Sequence, residues 1–465
     1  MRALSFVVGG LLTAAAVASL ETAAAGGASA ALAAKPNPKW LKPAQTPWQT
    51  PRTYVAEGPR FNTPTGGVQQ AGELDLYIKK LIRATPKGAE IDVALFRLQT
   101  TAMARYLVEA HQRGVKVRIV LDTDTLSKKP ETYTTLKKAL GTNTSKSSWV
   151  TLCPKNEGCI ARGASSKTWA KNHNKFYAFS KTYDSKNVVV QTSGNATGGM
   201  YNQFNDAYTM TDAKLYGAYR SYFYDLAKKT PNTNYWRTVT SGSRSVSFFP
   251  KTGSDPIVDV LNRVSCVGGT KIRLSSGLFT RTAVARKLSA LDAAGCDVRI
   301  ATGSIGESVA KALQVPGLHG GPTVHYFSGG SAHPAHSKYL LIDGIYGGKK
   351  TSVVLTGSHS YTVDALRNND EAMLTLQGSA IYNAYAANFE KVYAQARGVL
   401  EVGTIVPPPI VSDDTAGDDE NDVPGSGAGA QATPPDERPA PDPSLPPTTE
   451  QPDGGPDDIP LLDAQ

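Results

Sequence analysis

Ile91-Asp92-Val93-Ala94-Leu95-Phe96, then a helical stretch at Ala102–Arg113, then Gly114, then Val115-Lys116-Val117-Arg118-Ile119-Val120: this run occurs twice in the chain. The second copy reads Ile272-Arg273-Leu274-Ser275-Ser276-Gly277-Leu278-Phe279, a helical stretch at Ala283–Ala294, Gly295, and Asp297-Val298-Arg299-Ile300. Each copy spells strand, helix, Gly stop, strand. A Gly after the last helical turn suits the left-handed residue that ends helices. Two β-rich runs joined through a helix predict a βαβ unit with parallel strands. An Arg recurs in each second strand, at Arg118 and Arg299.

The repeat continues downstream. Asn187-Val188-Val189-Val190-Gln191-Thr192-Ser193 corresponds to Thr351-Ser352-Val353-Val354-Leu355-Thr356-Gly357-Ser358, and the helical stretches Leu215–Leu226 and Ile381–Val392 share aromatic positions. The expected architecture is therefore a duplicated α/β fold, two α/β/α lobes at 61–240 and 241–405. Their sheets should be mixed and mostly parallel, with the active site at the lobe interface.

The flanks read differently. Met1-Arg2, an apolar stretch from Leu4 to Leu20, and small residues at Ala23–Ala25 and Ala28-Ser29-Ala30 predict a secretory signal peptide over 1–34. An extended segment follows at 35–60. From Val411 onward the chain carries fourteen Asp or Glu against one Arg, so residues 406–465 read as an acidic, Pro/Gly-rich disordered tail. With an overall net charge of +9, the body before that tail is near +22. A basic body fits a polyanionic target, such as an anionic lipid surface or a nucleic acid. Four cysteines in an exported chain suggest two disulfides: Cys153 with Cys159, which bracket a short loop, and Cys266 with Cys296. A zinc site fits these spacings less well. Localisation outside the cell is expected.

The chemistry-bearing residues sit at matching places in the two copies. His336-Ser337-Lys338 is followed by Asp343 and then Gly357-Ser358; His173-Asn174-Lys175 is followed by Ser193-Gly194-Asn195. Ser193 to Asp206 is thirteen residues, and so is Ser358 to Glu371, which places a carboxylate just downstream of each half's strand. These paired motifs resemble those of the phospholipase D superfamily, which implies a phosphodiester substrate, with a poor leaving group and a charged centre. One neutral imidazole can attack phosphorus and a second, protonated one can give a proton to the leaving alcohol. A lysine from each half can neutralise the non-bridging oxygens. Hydroxyl and amide donors at Ser193, Asn195, Ser358 and Ser360 would complete the substrate cradle. Asp206 and Glu371 would each hold the far nitrogen of an imidazole. The scheme calls for no cofactor and no metal. A serine hydrolase is disfavoured, because Thr356-Gly357-Ser358-His359 lacks the G-x-S-x-G elbow.

Residues 70 to 395 resemble the phospholipase D superfamily, whose members carry two H-x-K-x(4)-D motifs. The resemblance implies that His173, Lys175, His336 and Lys338 are catalytic, with His173 the nucleophile and His336 acid then base. Two positions depart from the pattern: Ser180 stands where the first motif has Asp, with Asp184 four residues beyond, and Ser360 stands where an Asn is usual. The expected activity is a secreted phosphodiesterase that releases a head-group alcohol and phosphatidic acid, at a membrane surface and as a monomer. A nuclease of the same superfamily shares every motif, and a non-catalytic anion-binding protein accounts for the two departures. Among the other histidines, His359 lies beside the motif serine. His333, His325 and His319 read as structural, and Tyr201, Phe204 and Tyr361 as aromatic core.

Overall fold

The computed structural model describes residues 52–165, 168–314, 321–327 and 331–400, with the short strand Ile410–Val411. The signal peptide, most of the 35–60 segment, the acidic tail and His319 lie outside the described residues.

The first half contributes β1 (Gly58–Phe61), β2 (Glu90–Leu95), β3 (Lys116–Leu121), β4 (Trp149–Leu152), β5 (Lys171–Asn172), β6 (Lys175–Thr182), β7 (Ser185–Thr192) and β8 (Asp206–Met210). Seven of these form one sheet in the order β1-β8-β7-β6-β2-β3-β4. The second half contributes β9 (Arg237–Ser241), β10 (Arg244–Phe248), β11 (Val264–Ser265), β12 (Lys271–Phe279), β13 (Asp297–Gly306), β14 (Thr323–Tyr326), β15 (Lys338–Tyr346), β16 (Lys349–Gly357), β17 (Asn369–Asp370), β18 (Ala372–Gln377), β19 (Gly398–Leu400) and β20 (Ile410–Val411). Its central order, β14-β13-β12-β15-β16-β18-β10, repeats that of the first sheet.

The βαβ units are as the repeat implies. β2 pairs parallel with β3, and β12 with β13, through helices Thr101–Gln112 and Thr282–Ala293. Gly114 and Gly295 follow those helices at φ +88° and +96°, the left-handed region where a side chain would clash. The sheets are mixed, but the expectation of mostly parallel pairing fails. In the first sheet only β2–β3 and β3–β4 are parallel; β2–β6, β6–β7, β7–β8 and β8–β1 are antiparallel. The reason is local. Only two residues join β6 to β7 and β15 to β16, and a connection that short returns the chain antiparallel.

Helices Ala213–Lys228 and Ser379–Gln395 lie between the two sheets. Tyr219 of the first meets Phe176 of one sheet and Phe248 of the other; Tyr385 of the second meets Phe61 and Tyr339 in the same way. Each large ring removed from water contributes about 1.5–3 kcal/mol, so this central core binds the halves together. Two outer cores cover the far faces of the sheets. Both halves belong to one compact unit that starts at Arg52.

Candidate active site

Each histidine is anchored by the opposite half. β5 runs parallel to β17, and the backbone N–H of His173 donates to the Asp370 carbonyl at 3.0 Å. Around His336 the exchange is reversed. Ala335 bridges Phe204, and the N–H groups of His336 and Ser337 both donate to the Phe204 carbonyl at 2.9 Å. Both rings are buried, and each lies two residues before the start of the central antiparallel strand of its own sheet, β6 or β15.

The side chains cross the seam as well. His173 Nδ1 meets Glu371 Oε1 at 2.8 Å, and His336 Nδ1 meets Asn205 Oδ1 at 2.6 Å. A carboxylate only accepts, so His173 carries its proton on Nδ1. Asn205 turns its amide nitrogen to the carbonyls of Gln203 at 3.1 Å and Met200 at 3.4 Å, which leaves Oδ1 to accept from His336. In both rings Nε2 is then the nitrogen on the side away from that acceptor. A serine supports each acceptor. Ser193 Oγ donates to Asn205 Oδ1 at 3.1 Å and accepts from the Asp206 N–H at 2.9 Å. Ser358 Oγ donates to Glu371 Oε2 and accepts from the Ala372 N–H at 3.1 Å.

This geometry corrects two expectations. Asp206 does not hold a histidine. Its Oδ2 accepts from Thr356 Oγ1 at 2.5 Å and Tyr385 OH at 3.1 Å, and burial raises its carboxyl above the usual range against those hydrogen bonds. The partner of His336 is Asn205, one residue earlier. The matched spacing of thirteen misleads because Ser193 N–H bonds to Asp206 while Ser358 N–H bonds to Ala372, so the second loop is one residue longer. The second correction concerns Ser193 and Ser358. A hydroxyl has one proton, and each spends it on an acceptor that orients a histidine, not on a substrate oxygen.

The lysines lie beside the rings. Lys175 Nζ donates to the His173 carbonyl at 2.9 Å, and Lys338 Nζ to the His336 carbonyl at 2.6 Å. Both are buried, in a low-dielectric seam where a charge interacts more strongly than in water.

The family model described as cardiolipin synthase, PLD-like domain, matches residues 77–226 and 265–393, which covers both halves. The chain belongs to the phospholipase D superfamily. Its members are phosphodiester-acting enzymes. Among solved structures, the polyphosphate kinase of Porphyromonas gingivalis superposes with a TM-score of 0.50 at 12% identity, covering 78% of this chain and 54% of the kinase. The chain thus spans about half the length of that protein, and the likeness concerns fold alone. Phosphatidylserine synthase from Haemophilus influenzae Rd KW20 aligns with a TM-score of 0.49 at 14% identity, covering 70% and 84%. Nuc from Salmonella typhimurium, a phospholipase D family member, aligns at 0.27 and 19%, covering 33% and 96%. No curated protein matches the chain in sequence.

Within this phospholipase D-like frame the departures acquire places. Ser180 lies five residues along β6 from Lys175, roughly 17 Å away at strand spacing. Its hydroxyl accepts from the Glu90 N–H at 2.8 Å, a tie at the remote end of the sheet. Asp184 accepts from the Thr53 N–H at 2.8 Å and has no such role at the site. Ser360 is buried, and its carbonyl accepts from Arg281 Nη2 at 3.2 Å. Asn195 is also buried, and its Oδ1 has no hydrogen-bond partner among the described residues. His359 stacks on Phe249 with centroids 4.1 Å apart and meets Arg281 Nη2 through Nε2 at 3.0 Å; burial and that guanidinium hold it well below the ordinary imidazole range. His333 meets the Asn202 carbonyl at 3.2 Å, and His325 stacks on Tyr393 at 3.8 Å. Tyr201 bonds Asp75 at 2.5 Å in the outer core of the first half, while Phe204 and Tyr361 are buried. The sequence reading missed Asn205 and Asp370. Sliding the alignment by one residue, so that Asn205 meets Glu371, would have found the first.

Both expected disulfides are present, Cys153–Cys159 and Cys266–Cys296. No helix among the described residues is long and apolar enough to cross a membrane.

Proposed function

We propose that the chain is a secreted phosphodiesterase of the phospholipase D type, cleaving phospholipid to phosphatidic acid and a head-group alcohol through a phosphohistidine. The observation that carries this reading is the reciprocal hold on the two imidazoles, one by Glu371 and one by Asn205.

The unequal acceptors support one division of roles. The Glu371 carboxylate draws on the Nδ1 proton of His173, which makes Nε2 a better nucleophile and stabilises the positive charge the ring gains on bonding phosphorus. The Asn205 amide is neutral, so a protonated His336 releases its Nε2 proton more readily. In the first step His173 Nε2 bonds phosphorus, the bond to the head-group oxygen breaks, and that oxygen takes the His336 proton. In the second, His336 takes a proton from water, the hydroxide oxygen bonds phosphorus, the phosphorus–nitrogen bond breaks, and His173 is restored. Lys175 and Lys338 balance the charge on the non-bridging oxygens.

Exposed apolar residues near the motifs favour a lipid. Trp169, four residues before His173, is 57% exposed, and Val363, three residues after Ser360, is 54% exposed. Such side chains suit the interface of a bilayer. Export is supported by the signal-like N-terminus and by the two disulfides. A nuclease is the second reading, favoured by exposed lysines at 128, 129, 137, 138 and 146.

The test is head-group release from mixed phospholipid vesicles, run beside cleavage of plasmid and single-stranded DNA. Choline or ethanolamine release, lost in His173→Ala and His336→Ala, supports the lipid reading. DNA cleavage without lipid turnover selects the nuclease. Binding of both without turnover of either selects a non-catalytic anion-binding protein.

A further inference from the structure

Asp370 stands one residue before Glu371 in the second half, yet its side chain is committed to the first. Its Oδ1 accepts from the Ala161 N–H at 2.7 Å, and its Oδ2 from the Ile160 N–H at 3.1 Å. Those two amides follow directly on Cys159, the closing residue of the Cys153–Cys159 loop. The backbone of Asp370 faces the site: its carbonyl takes the His173 N–H at 3.0 Å, and β17 pairs with β5. One residue therefore touches the disulfide-closed loop and the main chain of His173, and adjoins the acceptor that orients its imidazole. The fit is close. A Cβ on Gly158 would stand 2.8 Å from Asp370 Oδ2.

We propose that Asp370 is a positioning residue of the active site, through which the Cys153–Cys159 loop holds the imidazole of His173 against Glu371. A carboxylate fully removed from water is costly unless donors meet it, and here the donors are the main-chain amides that directly follow a short covalent ring. The loop and residue 370 therefore move as one body. A shift in the loop displaces Glu371 and the His173 backbone together, and reacting groups tolerate displacements well under 1 Å. The other disulfide serves as an internal comparison, because Cys296 belongs to the outer core of the second half and its N–H donates to the Leu291 carbonyl at 3.0 Å.

The inference rests on His173 acting as proposed above, so its test carries one readout apart from activity. Asp370→Asn, Gly158→Ala, Cys153→Ser with Cys159→Ser, and Cys266→Ser with Cys296→Ser are made in the full chain. Each is assayed with bis(p-nitrophenyl) phosphate, and the His173 Nδ1 proton resonance, assigned by its loss in His173→Ala, is followed by NMR. The first three variants should lower kcat by about 10–100-fold with KM within about twofold, and should move or broaden that resonance. The Cys266/Cys296 variant should lower the melting temperature and leave both readouts in place. Retention of kcat and of the resonance in the first three overturns the inference, and so does an equal loss in the Cys266/Cys296 variant. If the wild-type chain turns over no diester, the proposed function fails, and the resonance alone still decides the role of Asp370.

Discussion

The two halves build one scaffold and furnish it differently. β2, β3, β6, β7 and β8 of the first have counterparts in β12, β13, β15, β16 and β18 of the second, in the same order and with the same pairing senses. Buttressing differs: Arg118 of β3 joins Glu90, Asp92 and Arg220 in a largely buried ion cluster, whereas Arg299 of β13 meets Glu390 at the surface. At the seam each half receives a different acceptor from the other, a charged one for His173 and a neutral one for His336. The two imidazoles hold equivalent places in the fold and differ in their acceptors, and under the proposed function that difference divides the labour between them.

Removing the imidazoles should give the largest effects and expose that division. His173→Ala should lose on the order of 10⁴-fold or more in kcat with any diester, as expected when a covalent nucleophile is removed. His336→Ala should slow the adduct-forming step, read as the pre-steady-state burst, by about 10²–10⁴-fold with an alkyl leaving group and far less with p-nitrophenolate, which needs no acid. Equal losses on both substrates would break the assignment. The acceptors come next. Glu371→Gln should cost about 10²–10³-fold in kcat, because a neutral acceptor stabilises the charged ring less; Asn205→Ala should cost nearer 10-fold. Asn205→Asp makes the halves alike and should raise the pH at which the acid limb of kcat falls, read from a pH–rate profile.

Asp206 sharpens the comparison from the other side. Its carboxylate serves Thr356 and Tyr385, so Asp206→Ala should cost about 1–3 kcal/mol in denaturant unfolding through unpaired buried hydroxyls. At permissive temperature its kcat should stay within about threefold of wild type, far from the loss expected of a residue that orients a histidine.

How much of this was legible follows from what a sequence repeat can carry. The βαβ units, the Gly stops and the two H-x-K motifs recur in the chain itself, and the structure has them where the repeat places them. Pairing sense was misread because the hairpins after each motif, not the βαβ units, make up most of each sheet. Asn205 was hidden by a loop one residue longer in the second half, which made Asp206 fall at the matching distance. The exchange of acceptors and the grip on Asp370 join residues about 130 to 210 positions apart, and no local pattern encodes such contacts.

The smallest expected effect lies in the ion cluster of the first half. Burial works against the Glu90 charge, but Arg118, Arg220 and Lys116 hold its carboxyl down to about 2. A carboxyl depressed in the folded state adds stability above its unfolded value near 4.5 and loses it as the pH falls towards 2. Glu90→Gln should therefore lower the melting temperature by roughly 1–3 °C at pH 7, with the difference closing between pH 5 and pH 2. A difference that is constant with pH would show that the cluster holds no such charge.

Trapping the intermediate tests the division between the two histidines directly. His336→Ala, given bis(p-nitrophenyl) phosphate and quenched within the first turnovers, is digested and mapped by mass spectrometry. A phosphoryl adduct is expected on the peptide that carries His173, and none there in His173→Ala. An adduct on His336 in the wild-type chain, or product formed with no adduct on either histidine, would contradict it.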